Sequence, residues 1–131
     1  MTPGKQRLVP YLMYSDAPAA IDFLCKAFGF AETMRYPMPD GRVGHCELVY
    51  EGNKLMLASL FEGFGDTPLN VGNTTCTLHC HVDDVDAHYA RALDAGATIT
   101  AEPHEEHGLR RYRASDPEGH RWVFATPLQT S

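Results

Sequence analysis

The sequence predicts an α+β fold of two βαβββ modules that share one sheet surface and form a cleft between them. Three observations carry this prediction. Two helix-sized segments are punctuated alike: Gly29 follows Asp16 at the same interval as Gly96 follows Asp83. The stretch Gly52-Asn53-Lys54-Leu55-Met56-Leu57 matches Gly119-His120-Arg121-Trp122-Val123-Phe124 in turn position and polarity. The runs between them have strand character bounded by turn residues. Two divergent copies are too few for a solenoid, and 131 residues are one domain's worth of chain. Residues 1–131 therefore read as a single domain, with module one at 8–59, a linker at 60–74 and module two at 75–126.

Each element has a local reason. Residues 8–14 read as a strand. Asp16 is placed to cap a helix, and Pro18 falls in its first turn, where a missing N–H does least harm. Ala20, Phe23, Leu24, Ala27 and Phe28 recur at helical spacing, and Gly29 stops the helix. Residues 30–38 form a second strand that runs into Pro37 and Pro39. Pro39-Asp40-Gly41 is a turn signal. Residues 42–50 form a third strand, Glu51-Gly52-Asn53 a turn, and 54–59 a fourth strand. The linker is rich in glycine; its Phe61 and Phe64 are costly on a loop unless they pack. In module two, 76–82 is a strand, Asp83-Asp84 cap a helix ending at Ala95-Gly96, and 98–102 is a strand. Pro103 to Gly108 reads as a polar loop. A strand at 109–115, the Asp116-Pro117-Glu118-Gly119 turn and a last strand at 121–125 complete the module.

Composition narrows the function classes. The chain is 44% apolar and 21% charged, as in a soluble globular domain. Its net charge of −6 speaks against a nucleic-acid partner, which requires a basic surface. No apolar run approaches the roughly 18 residues of a membrane span. Met1 to Lys5 lacks the apolar core of a signal peptide, so the expected location is cytoplasmic. Cys25, Cys46, Cys76 and Cys80 contain no C-x-x-C pair and read as free, buried thiols.

Strand alternation selects the candidate site residues. His79 and His81 share a face with Thr77, opposite Leu78, Cys80 and Val82; the alternative is a pair of solvated strand histidines. His45 and Glu47 lie opposite Cys46 and Leu48, and a carboxylate beside an imidazole suits acid–base work or an ordinary cross-strand pair. Arg111 and Arg113 share a face opposite Tyr112 and suit a carboxylate or phosphate, or solvent. Superposing the two modules sets Tyr112 on His45, which conflicts with these faces. Tyr11 and Met13 can line an apolar pocket or the core. His104 and His107 fall on the polar loop and read as surface residues, while Trp122 and Phe124 read as core.

Taken together, Asp16 with Ala27-Phe28-Gly29-Phe30, Val82-Asp83-Asp84-Val85-Asp86 with Ala95-Gly96-Ala97, and Asp116-Pro117-Glu118-Gly119-His120-Arg121-Trp122 resemble the vicinal oxygen chelate superfamily. This is the group of glyoxalases, bleomycin-resistance proteins and extradiol dioxygenases. With His45-Cys46-Glu47-Leu48 and Leu55-Met56-Leu57, the chain looks most like the branch labelled PhnB-like. The resemblance implies a homodimer and, in the metal enzymes, a His or Gln early on each module's first strand and a Glu on its last. Those positions fall here on Val9, Met56, Thr77 and Val123, none of which supplies an imidazole or carboxylate. The expectation is a protein that binds a small organic molecule, through Tyr11, His45, Glu47, His79, His81, Arg111 and Arg113, with no cofactor. A divalent metal at non-standard ligands stays open. So do a superfamily lyase, isomerase or dioxygenase with relocated ligands or metal-free acid–base chemistry, and an antibiotic-sequestering resistance protein.

Overall fold

The computed structural model describes residues 6–128; Met1 to Lys5, read above for a leader, lie outside them. The elements are β1 (Tyr11–Tyr14), α1 (Ala17–Phe28), β2 (Ala31–Pro37), β3 (Val43–Tyr50), β4 (Asn53–Ser59), α2 (Pro68–Val71), β5 (Thr77–His81), α3 (Val85–Asp94), β6 (Thr98–Glu106), β7 (Leu109–Ser115) and β8 (Arg121–Pro127). They form two four-stranded sheets of the same order, β1-β4-β3-β2 and β5-β8-β7-β6. In each, the first strand runs parallel to the last and the rest pair antiparallel. This is the predicted pair of βαβββ modules. None of the described helices is long and apolar enough to cross a membrane.

Both helices start and stop where the sequence sets them. Asp16 accepts the Ala19 amide and Asp84 the Ala87 amide, which satisfies donors that a helix start leaves free. Gly29 closes α1 in the left-handed conformation. The two helices pack on each other, so the apolar sides of both modules merge in one core. Phe28, at the end of α1, packs against Trp122 and Phe124 of β8. Fully buried side chains such as Leu24, Leu48 and Phe124 each contribute roughly 1.5–3 kcal/mol by leaving water.

Polar contacts fasten the modules at two points. The buried Asp116 accepts the Tyr14 hydroxyl at 2.6 Å and the Trp122 indole N–H at 3.2 Å. Glu118 accepts the amides of Ser15, at 2.5 Å, and Asp16, at 2.8 Å, just ahead of α1. On the other side, His88 of α3 joins the Phe28 carbonyl at 2.9 Å to the Tyr112 hydroxyl at 2.6 Å.

Several sequence expectations change. The linker is not structureless: α2 lies within it, capped by Thr67, and the Leu69 amide donates to the Glu118 carbonyl. Pro103 to Glu106 is strand rather than loop. β6 runs through Pro103 with two register shifts, and the bulge on this edge strand tolerates a missing N–H. The turn is only His107-Gly108, with positive φ at both residues, as in a two-residue hairpin. The first strand begins at Tyr11 rather than Leu8. Cys76 is exposed, while Cys46 is buried and Cys25 and Cys80 are half-buried.

Candidate functional site

Register corrects the overlay of the modules. Cys46 pairs with Leu57, and Tyr112 pairs with Phe124. Because Leu57 and Phe124 hold matching places, Tyr112 corresponds to Cys46, Arg111 to His45 and Arg113 to Glu47. The polar faces of the two sheets therefore match, and each lies opposite the side that packs on the helices.

On sheet one, Tyr11, Met56 and Glu47 lie in one row across β1, β4 and β3. The Tyr11 hydroxyl meets His45 Nδ1 at 2.8 Å, and His45 Nε2 meets Glu47 Oε2 at 2.8 Å. Lys54 Nζ binds the other Glu47 oxygen at 2.9 Å. An ionised carboxylate only accepts, so Nε2 carries the imidazole hydrogen and Nδ1 accepts from Tyr11. His45 and then Lys54 hold the Glu47 carboxyl below its ordinary range. Burial, followed by Cys46 and Glu47, raises the Tyr11 phenol. Phe64 stands edge-on to Tyr11, at 6.2 Å between ring centres. Beside this chain opens a groove of about 480 Å³ lined by Tyr36, Met38, His45, Phe61 and Phe64. Of the linker phenylalanines, Phe61 packs under the Arg42 guanidinium, at 4.4 Å.

On sheet two, the His79 and His81 rings meet edge to face at 5.1 Å. Burial, then the neighbouring His81 and Arg111, lowers the His79 pKa. Arg111 is tied to Glu106 at 2.6 Å, and its Nε is buried without a partner. Arg113 faces a second groove, of about 460 Å³, together with Thr77, His104, Arg121 and Val123. A third cavity, of about 330 Å³, lies between the modules and is lined by Leu8, Pro10 and Lys54 from one and Leu78, His79 and His81 from the other.

The structure thus brings Tyr11, His45 and Glu47 together, and separately His79, His81 and Arg111. Among the described residues, no hydrogen bond, ion pair or ring contact joins the two groups. Of the predicted candidates, His79 and His81 line the third cavity, and Tyr11 lines another, of about 450 Å³, that also spans the modules with Leu12, Leu78 and His120. Sequence reasoning missed Lys54, Arg121 and His104. Alternation from Met56 and Val123 places Lys54 and Arg121 on the polar faces; His104 was hidden by the loop assignment.

The positions for a superfamily metal do not fit one. Val9, Met56 and Val123 offer no hard donor, and Thr77 offers only a neutral hydroxyl. Among the described residues, no three His, Cys, Asp or Glu side chains converge as a metal site.

Residues 7–124 match the Glyoxalase/Bleomycin resistance protein/Dioxygenase superfamily. The chain belongs to this superfamily. The uncharacterized protein Rv0887c from Mycobacterium tuberculosis is 41% identical over 127 residues, 93% of this chain and 75% of its own. Among solved structures, TioX from Micromonospora sp. ML1 is 32% identical with a TM-score of 0.78, covering 94% of this chain and 99% of that one. TnmS3, an antibiotic binding protein from Streptomyces sp. CB03234, shares the superfamily fold at 22% identity and a TM-score of 0.69, covering 97% of both chains.

Proposed function

We propose that this protein binds a small, planar organic molecule on its polar sheet faces, without the superfamily's usual metal centre. The observation that carries the reading is the exchange of chemistry around Met56. The metal-ligand positions are apolar or neutral, while the adjacent row holds the Tyr11–His45–Glu47 chain. With its hydrogen given to His45, the Tyr11 oxygen keeps lone pairs free for a ligand N–H or O–H. Tyr36, Phe61 and Phe64 supply aromatic surface beside it. The fold shared with TnmS3, an antibiotic binding protein, supports a sequestering role, and the Gly119-His120-Arg121-Trp122 motif supports a place near the PhnB-like branch. The reading includes a homodimer, checked by light-scattering mass in solution.

Titration calorimetry with a panel of planar aromatic compounds tests the proposal. A binder should weaken about tenfold in Tyr11→Phe, the loss of one buried hydrogen bond. A stoichiometric divalent ion in protein purified without chelator would overturn the metal-free part.

The same hydrogen-bond chain favours a second reading, metal-free proton transfer. A ligand proton passes to Tyr11 as the Tyr11 proton passes to His45 Nδ1, and Glu47 holds the resulting imidazolium. Turnover of a bound ligand that vanishes in His45→Gln while binding persists would select this reading.

A further inference from the structure

The sheet-two groove collects positive charge in a chain whose net charge is −6. Its lining includes Arg113, Arg121 and His104 and no acidic side chain. Arg113 and Arg121 lie on one face: Arg113 pairs with Val123, two residues along β8 from Arg121. Such diagonal neighbours stand about 7–8 Å apart at the backbone, within joint reach of one ligand for side chains of this length.

The charges of Arg113 and Arg121 are not used up by carboxylates nearby. The nearby Glu106 carboxylate is held by Arg111 and His104, which press its pKa to about 2. Among the described residues, Arg121 meets only the neutral Asn73 amide oxygen, at 3.2 Å. Arg113 has no hydrogen-bond or ion-pair partner among the described residues. His104 meets acceptors at both ring nitrogens, the Glu102 carbonyl at 2.9 Å and Glu106 at 3.0 Å. Hydrogen on both nitrogens, the imidazolium form, satisfies both contacts. The Glu102 carbonyl and then Glu106 raise its pKa accordingly.

The remaining lining is suited to an organic anion. Thr77, Thr100 and Ser115 add hydroxyls, and Val123 and Ala101 add apolar wall. A planar guanidinium grips a carboxylate or phosphate through two parallel bonds. From this convergence we infer that the groove is an anion site, taking the carboxylate or phosphate of a ligand whose apolar body rests on Val123. The inference rests on the ligand-binding reading above, and it names the ligand class for the second sheet.

Phenyl phosphate is the probe, titrated by calorimetry into the wild-type chain and four variants whose folding is checked by thermal melting. Arg113→Gln and Arg121→Gln should each weaken it about tenfold or more, the loss of a charge-assisted pair. Arg110→Gln removes the same charge from the opposite side of β7, where Arg110 is paired to Asp86, and should leave affinity unchanged; Tyr11→Phe, the fourth variant, reports on sheet one. Phenol should bind more weakly than phenyl phosphate, and added salt should reduce the difference. Equal loss in Arg110→Gln and Arg113→Gln would reduce the effect to bulk charge and overturn the inference. Binding lost in Tyr11→Phe but kept in Arg113→Gln would place the probe on sheet one and overturn it too. If neutral aromatics bind through Tyr11 and phenyl phosphate gains nothing over phenol, the inference fails while the proposed function stands. If no compound of either kind binds, both fail.

Discussion

His88 shows how much one side chain can decide. Its Nε2 donates to the Phe28 carbonyl, and in the neutral form its Nδ1 accepts from Tyr112. Burial, with Arg91 adding to it, lowers its pKa, and the bond to Phe28 opposes them. The folded protein therefore binds this proton less readily than the unfolded chain. The stability that follows is complete above the ordinary histidine value of about 6.5 and is lost as pH falls through the lowered folded value. Melting temperature should drop from pH 7 to pH 5, and His88→Phe should flatten that drop while lowering stability at pH 7. Glu118 offers a second test at this scale. Glu118→Ala strands the Ser15 and Asp16 amides, and chemical denaturation should register a loss of about 1–3 kcal/mol. Alternation was enough to put His45 with Glu47 and His79 with His81, because it depends only on backbone period. The bonds they make depend on side-chain torsions, which no pattern encodes. Glu118 read as a turn residue because its partners lie at the far end of the chain.

Among the elements, the ending of module two carries the sharpest constraint. Gly119 sits at φ +91, and an added Cβ would stand 3.1 Å from Cβ of Pro68 in α2. Gly41 has the same φ with nothing within 4 Å. Gly41→Ala should thus cost only the backbone strain, about 1 kcal/mol. Gly119→Ala should cost more, and the difference in denaturation free energy measures how firmly α2 is pressed onto the turn. The helix ends were legible, since Asp16, Gly29 and Asp84 act through local geometry. The length of β6 was not. Pro103, Glu105 and Glu106 read as loop, and only pairing with β7 makes this stretch strand.

At the scale of the whole molecule, the doubled module was readable from spacing and turn chemistry repeated in order. Which cavity each candidate lines was not readable, because it depends on how the modules pack. The helices meet in the middle, and the polar sheet faces lie on the sides away from that core. A metal-free protein should show no rise in melting temperature with zinc, nickel or ferrous iron, whereas a tight site adds RT ln(1 + [L]/Kd). The clasp at Asp116 and Glu118 also sets an order of events. Its partners Tyr14 and Asp16 lie 102 residues away along the chain. During synthesis, at about 5–20 residues per second, the first module emerges with a tyrosine hydroxyl and two amides waiting for groups made last. The early half cannot reach its final form alone, and a chain stopped before Asp116 leaves those groups without their partners in the folded protein.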